Sequence, residues 1–125
     1  EMLRKIAAAG VVPAVASNKY QDGAEKLVRH FFGDIDFIRI LGQREGQPIK
    51  PDPAIVHQIM AMIPGITSDE VVYVGDSDVD MQTGANAGVR TVGVTWGFRS
   101  RAELEAGKPW KIADTAEELG NLICL

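Results

Sequence analysis

Cysteine is almost absent: Cys124 is the only one among 125 residues. A lone thiol excludes an internal disulfide and a cysteine-rich zinc site, and it fits a reducing compartment. Long apolar runs are missing too. None approaches the ~20 residues of a membrane span, and no signal-peptide pattern opens the sequence, so a cytoplasmic protein with no membrane partner is expected. No cluster of Lys or Arg stands out, and the net charge of −4 argues against a nucleic-acid partner. No repeat, low-complexity tract or linker divides the chain. Its length is enough for one domain, which should bury roughly 65% of its unfolded surface.

What is present is an apolar pattern that alternates between two periods. Leu3, Ile6 and Ala7 share a helical face that Gly10 can stop. Residues 11–16 read as a strand whose start is flawed by Pro13. Asp22 and Glu25 read as a capping box for a helix through Leu27, Val28 and Phe31. Residues 37–41 predict a second strand, and Pro53 opens a helix with the stripe Ile55, Ile59, Met62 and Ile63. Strands at 71–74 and 91–95 flank a helix at 79–87, where Gly84, Ala85 and Ala87 allow close approach to a sheet. A helix near 102–106, an extended stretch at 111–113 and a helix capped by Thr115 and Glu118 complete the order. Short strands alternating with helices predict an α/β domain: a parallel, Rossmann-like sheet with helices on both faces.

In such sheets ligands bind at the carboxyl ends of the strands. The loops expected there carry Ser17-Asn18-Lys19, Gly42-Gln43-Arg44, the stretch from Gly75 to Asp80, and Trp96-Gly97-Phe98. A further segment, "QPIKPDP", places Lys50 between prolines just before a helix. Pro51 holds the residue before it in an extended conformation, so this lysine can be aimed inward. Asp76, Asp78 and Asp80 crowd the end of an apolar strand, and their mutual repulsion calls for a cation, a lysine, or both. Together these groups suit a phosphorylated ligand with Mg²⁺. Seen singly, each has a plainer reading: a turn at Ser17-Asn18, a surface lysine at 50, helix caps at 76–80. His30 and His57 are expected to play no metal role, Trp96 and Trp110 to pack, and Met60 and Met62 to fill core.

The ordered set resembles the haloacid dehalogenase superfamily of phosphatases, in particular its phosphoglycolate-phosphatase-like members. Ser17 in "AVASNK" resembles the hydroxyl motif that binds the transferring phosphoryl group, with Asn18 as a further donor. Lys50 in "KPDP" resembles the lysine that pairs with nucleophile and phosphate. "VGDSDVD" resembles the acidic motif that holds Mg²⁺, with Asp76 a direct ligand, Asp80 a direct or indirect one, and Ser77 bracing the loop. The resemblance covers essentially all of residues 1–125, as the C-terminal part of such a core domain. It implies hydrolysis of a small phosphorylated metabolite through an aspartyl-phosphate, with Lys50 and Asp76 in the catalytic centre.

The same resemblance implies a nucleophilic aspartate on a strand that this sequence does not contain. Asp34-Ile35-Asp36 precedes its strand and so belongs to the opposite edge; Asp76-Ser77-Asp78 lacks the following Gly-Thr. The chain also opens inside a helical pattern. The expectation is therefore that a first strand and a cap domain lie upstream, and that this chain alone is inactive. Without that strand two inner sheet edges lack partners, so an upstream segment or a partner chain is expected to complete the sheet. The rival expectation is a non-catalytic, receiver-like module that binds Mg²⁺ and phosphate.

Overall fold

The computed structural model describes residues 2–97 and 100–124; Phe98, one of the expected edge-loop residues, lies outside them. Helix α1 (Met2–Ala8) precedes strand β1 (Val15–Tyr20), helix α2 (Gln21–Phe32) and strand β2 (Ile40–Gln43). Helix α3 (Ala54–Met60) and a 3-10 turn (Ser68–Glu70) lead to strand β3 (Val72–Gly75) and helix α4 (Asp78–Ala87). Strand β4 (Arg90–Val94), helix α5 (Arg101–Ala106), strand β5 (Lys111–Ala113) and helix α6 (Ala116–Ile123) follow. All strand pairs are parallel. The α/β class, with parallel sheets and helices on both sides, is the one expected.

β3 pairs with β4 in continuous register from Val72↔Arg90 to Gly75↔Gly93, and β4 pairs with β5. The side chains of β3 show why both faces must be covered. Tyr73 packs with Val71 against the buried cluster of Leu41, Ile55, Val56 and Val89. Val72 and Val74 turn to the other cluster, of Val92, Val94, Ala113 and Leu119. A period of two thus divides the core between two layers of helices. α4 lies very close to the sheet: a Cβ on Gly84 would overlap the Thr91 methyl.

Several boundaries differ from those expected. β1 begins at Val15, not at residue 11, and runs on through Ser17 and Asn18. Its pairing with β2 is irregular there: Ala16↔Leu41 is followed by Tyr20↔Gln43, so four positions on one strand span two on the other. Ser17-Asn18-Lys19 therefore bulges within a strand rather than forming a loop after it. β2 likewise starts three residues later than expected and includes Gly42 and Gln43. The Asp22–Glu25 capping box does not form, because α2 starts at Gln21 behind Tyr20, with no side-chain cap. A true box forms at Thr67 and Glu70, and the Thr115 cap forms with the Glu118 amide. α3 stops at Met60; beyond it, Met62 and Ile63 bond back three residues in tightened turns, and Met62 is exposed. Trp96, expected to pack, is 52% exposed.

The sheet is in two pieces. β1 and β2 form one and β3, β4 and β5 the other, and no described strand pairs with the free edge of either β1 or β3. The pieces are joined by side chains. Ala16 from β1 packs on the same cluster as Tyr73 from β3, and Asn86 Nδ2 donates to Pro51 O at 3.0 Å.

Candidate active site

The strongest polar link between the two pieces is also the site. β3 ends at Gly75, the chain turns through Asp76 and Ser77, and α4 begins at Asp78. Ser77 is extended and caps that helix, its Oγ accepting from the Asp80 amide at 3.2 Å. The cap fixes Asp80 in the first turn and directs its carboxylate back over the strand end. Space for it exists because residue 75 is glycine; a Cβ there would overlap Asp80 Cβ and its carboxylate.

Asp80 is 7% exposed, and its carboxylate is surrounded by donors. Oδ2 accepts from the Asp76 amide at 3.2 Å and from Ser77 Oγ at 3.1 Å. Oδ1 accepts from Lys50 Nζ at 2.7 Å and from Tyr73 Oη at 3.4 Å. The Lys50–Asp80 pair retains only 12% and 10% side-chain exposure, so it lies largely outside solvent screening. Burial pushes the Tyr73 phenol well above its ordinary range, and the Asp80 charge and hydrogen bond add to that shift. Tyr73 therefore stays a neutral donor.

Lys50 is held at its backbone as well as at its tip. Its N–H donates to Asn18 Oδ1 at 3.0 Å, and its carbonyl accepts from Asn18 Nδ2 at 3.4 Å. The Asn18 amide is thus committed to placing Lys50. Ser17 sits beside it on the bulge, where its Oγ accepts from the Lys19 amide at 3.0 Å. That bond uses a lone pair and leaves the hydroxyl proton free to donate outward. The bulge itself is closed by Gln21: its Nε2 donates to Ile40 O and its Oε1 accepts from the Gly42 amide, both at 2.7 Å.

Asp76 differs from Asp80. It is half-buried, and its carboxylate accepts no hydrogen bond from a described residue, although its own amide is engaged. Two acids four residues apart, one in the loop and one in the first turn of α4, therefore have different work: Asp80 holds Lys50, and the Asp76 carboxylate has lone pairs that no described donor uses. That is the donor a hard cation needs, since Mg²⁺ keeps several waters and takes one or two carboxylates together with phosphate oxygens. Among the described residues no group of three or more His, Cys, Asp and Glu converges on one point, so Asp76 fits as one ligand of a set, not as a cage. Asp78, His30 and His57 are exposed.

Asn18, Lys50, Asp80 and Asp76 are thus tied into one hydrogen-bonded group. Ser17 lies next to Asn18 on the β1 bulge, its hydroxyl bonded, among the described residues, only to the Lys19 amide. Sequence reasoning missed Tyr73 and Gln21. Tyr73 carried a signal, because a tyrosine in a buried strand needs a partner for its hydroxyl. Gln21 carried none; its role depends on a bulge that no local pattern announces.

Comparison with known proteins gives a consistent picture. A sequence profile of haloacid dehalogenase-like hydrolases matches residues 1–94. The phosphoglycolate phosphatase of Pectobacterium atrosepticum is 32% identical over 124 residues, which is 98% of this chain and 52% of that protein. Pyrophosphatase PpaX of Bacillus mycoides is 35% identical over 71 residues, 57% of this chain and 33% of that protein. The chain spans about half the length of the curated relatives it matches. A crystal structure of a Lactobacillus delbrueckii subsp. bulgaricus protein superimposes with a TM-score of 0.90 at 34% identity, covering 98% of this chain and 50% of that one.

Proposed function

Because the chain belongs to the haloacid dehalogenase-like hydrolase family, we propose that the protein carrying it is a Mg²⁺-dependent phosphomonoester hydrolase, similar to phosphoglycolate phosphatase. The observation that supports this reading is the connected group Asn18–Lys50–Asp80–Asp76, with Ser17 beside it. It sets an ammonium and a carboxylate without a described donor beyond the end of β3, linked through Asn18 to the β1 bulge that carries the Ser17 hydroxyl.

Each residue has a task that follows from its surroundings. Asp80 draws the Lys50 ammonium inward, and Asn18 fixes the backbone from which it extends. Lys50 and the free Ser17 O–H bind oxygens of the phosphoryl group, and their positive and polar groups stabilise the charge on it. Asp76 holds Mg²⁺, which when bound neutralises charge on the same oxygens. Attack falls to an aspartate outside this chain, through an aspartyl-phosphate. The 125 residues alone are accordingly inactive. An upstream segment or a partner chain fills the space between β1 and β3 and carries that group. No described helix is long and apolar enough to cross a membrane. The substrate is a small phosphorylated metabolite, and its choice belongs to parts beyond these residues. A core shared with a phosphatase and a pyrophosphatase is no guide to it.

The test is hydrolysis of a generic phosphomonoester by the full-length protein against Mg²⁺ concentration. Turnover should depend on Mg²⁺, vanish with chelator, and fall at least about 100-fold in Asp76→Asn, the scale of a lost electrostatic contact in the transition state. Binding of Mg²⁺ and phosphate without turnover would favour the receiver-like alternative. Unchanged turnover in the variant would remove Asp76 from the site.

A further inference from the structure

We infer that Gly97 is a positioning residue for Asp76: the turn after β4 closes against that carboxylate, and the side chain missing at 97 is the room it occupies. A Cβ built on Gly97 would overlap Asp76 Cβ, Cγ and Oδ2. The clash reaches the root of the side chain, so a change of rotamer at its tip does not relieve it. Nor does backbone conformation account for the glycine. Gly10, Gly46, Gly65 and Gly88 have positive φ and open space around the missing Cβ, whereas Gly97 has no positive φ and a full neighbourhood. Space is the reason for glycine here.

The chain is anchored just before Gly97. Thr95, two residues earlier, donates its amide to Ala113 O at 3.2 Å and its hydroxyl to Asp114 Oδ1 at 2.9 Å. Asp114 in turn accepts from Arg101 Nη1 at 3.1 Å on the far side of the turn. Asp76, by contrast, has no hydrogen bond from a described residue to hold its carboxylate, so packing against Gly97 limits its orientation. Among the described residues, an acid whose lone pairs must stay free for a ligand is thereby placed by shape and not by a hydrogen bond to its carboxylate. The functional half of this inference rests on the reading of Asp76 as a cation ligand; the packing half stands without it.

The experiment is a double-mutant cycle in the full-length protein: Gly97→Ala, Asp76→Gly and the pair, read by Tm and by calorimetric titration with Mg²⁺ alone. Gly97→Ala should lower Tm and weaken Mg²⁺ binding by about 10–100-fold, the range for lost support of a metal ligand. In the Asp76→Gly background the same alanine should leave Tm unchanged, because the clashing atoms are gone. If Gly97→Ala alone fails to fold, recovery of folding in the pair supports the inference, and failure to recover overturns it. An equal Tm loss in both backgrounds also overturns it, as does wild-type Mg²⁺ affinity in Gly97→Ala. The two readings separate cleanly. Absence of turnover in the wild type defeats the phosphatase assignment, and intact turnover in Asp76→Asn removes Asp76 from the site. Both leave the Tm coupling in place, whereas loss of coupling in a Mg²⁺-dependent enzyme defeats only the role of Gly97.

Discussion

Asp76 and Asp80 lie four positions apart with the same functional group and different surroundings. Asp80 receives four donors, and Asp76 receives none from a described residue. Removing the cation should therefore expose the cost of the anion. Lys50→Met should destabilise the full-length protein by about 3–5 kcal/mol, the scale for stranding one partner of a buried pair. Urea denaturation would check it, and a loss below ~1 kcal/mol, typical of exposed pairs, would place the pair in solvent. Tyr73 gives a pH prediction. Its phenol is raised in the folded state, so its contribution is complete below the ordinary tyrosine value of about 10 and is lost as pH rises above it. Tyr73→Phe should flatten the alkaline decline in stability, measured by denaturation at a series of pH values. A decline as steep as in the wild type would contradict this. At this scale the sequence announced Lys50 and the acids through their residue types and spacing. It did not announce how the acids divide their tasks, because the Lys50 donor arrives from a segment 30 residues away and the Tyr73 donor only when α4 folds back over β3.

At the scale of elements, α4 and β4 show how a helix made of small residues is used. Gly84 lets the helix approach until the Thr91 methyl occupies the place of its missing Cβ. Gly84→Ala improves helix propensity by up to ~1 kcal/mol, yet overpacking of about 1–3 kcal/mol should dominate. The variant should melt lower than the wild type, and Thr91→Ser, which removes the methyl, should restore most of the loss. No rescue would mean that the contact is not the cause. The close approach was legible from Gly84 and Ala87, whereas Ala85, expected to share it, is exposed; the Thr115 cap was legible from its spacing to Glu118. The box at Asp22–Glu25 was misleading, since the strand before it ran on to Tyr20 and left no room for a cap. Strand pairing with β2, a tertiary event, decided that boundary.

At the scale of the whole molecule, the gap between β1 and β3 governs the rest. Two parallel sheets share one core cluster but, among the described residues, no strand pairing, so the free edges of β1 and β3 present N–H and C=O groups without a described strand partner. The full-length protein should therefore protect the amides of β1 and β3 from hydrogen exchange, while residues 1–125 expressed alone should exchange there rapidly. Equal protection in both would show that no further strand is needed. The class of fold was legible from the alternation of periods, and the discontinuity followed from the resemblance rather than from any local pattern. The central claim is that Ser17, Lys50 and Asp76 surround one phosphate-and-cation site. Its most direct test is a crystal structure of the full-length protein with Mg²⁺ and a phosphate mimic. The account predicts the cation about 2.1 Å from an Asp76 carboxylate oxygen, with the anion hydrogen-bonded to Ser17 Oγ and Lys50 Nζ. An anion bound away from both, or a cation that ignores Asp76, would contradict it.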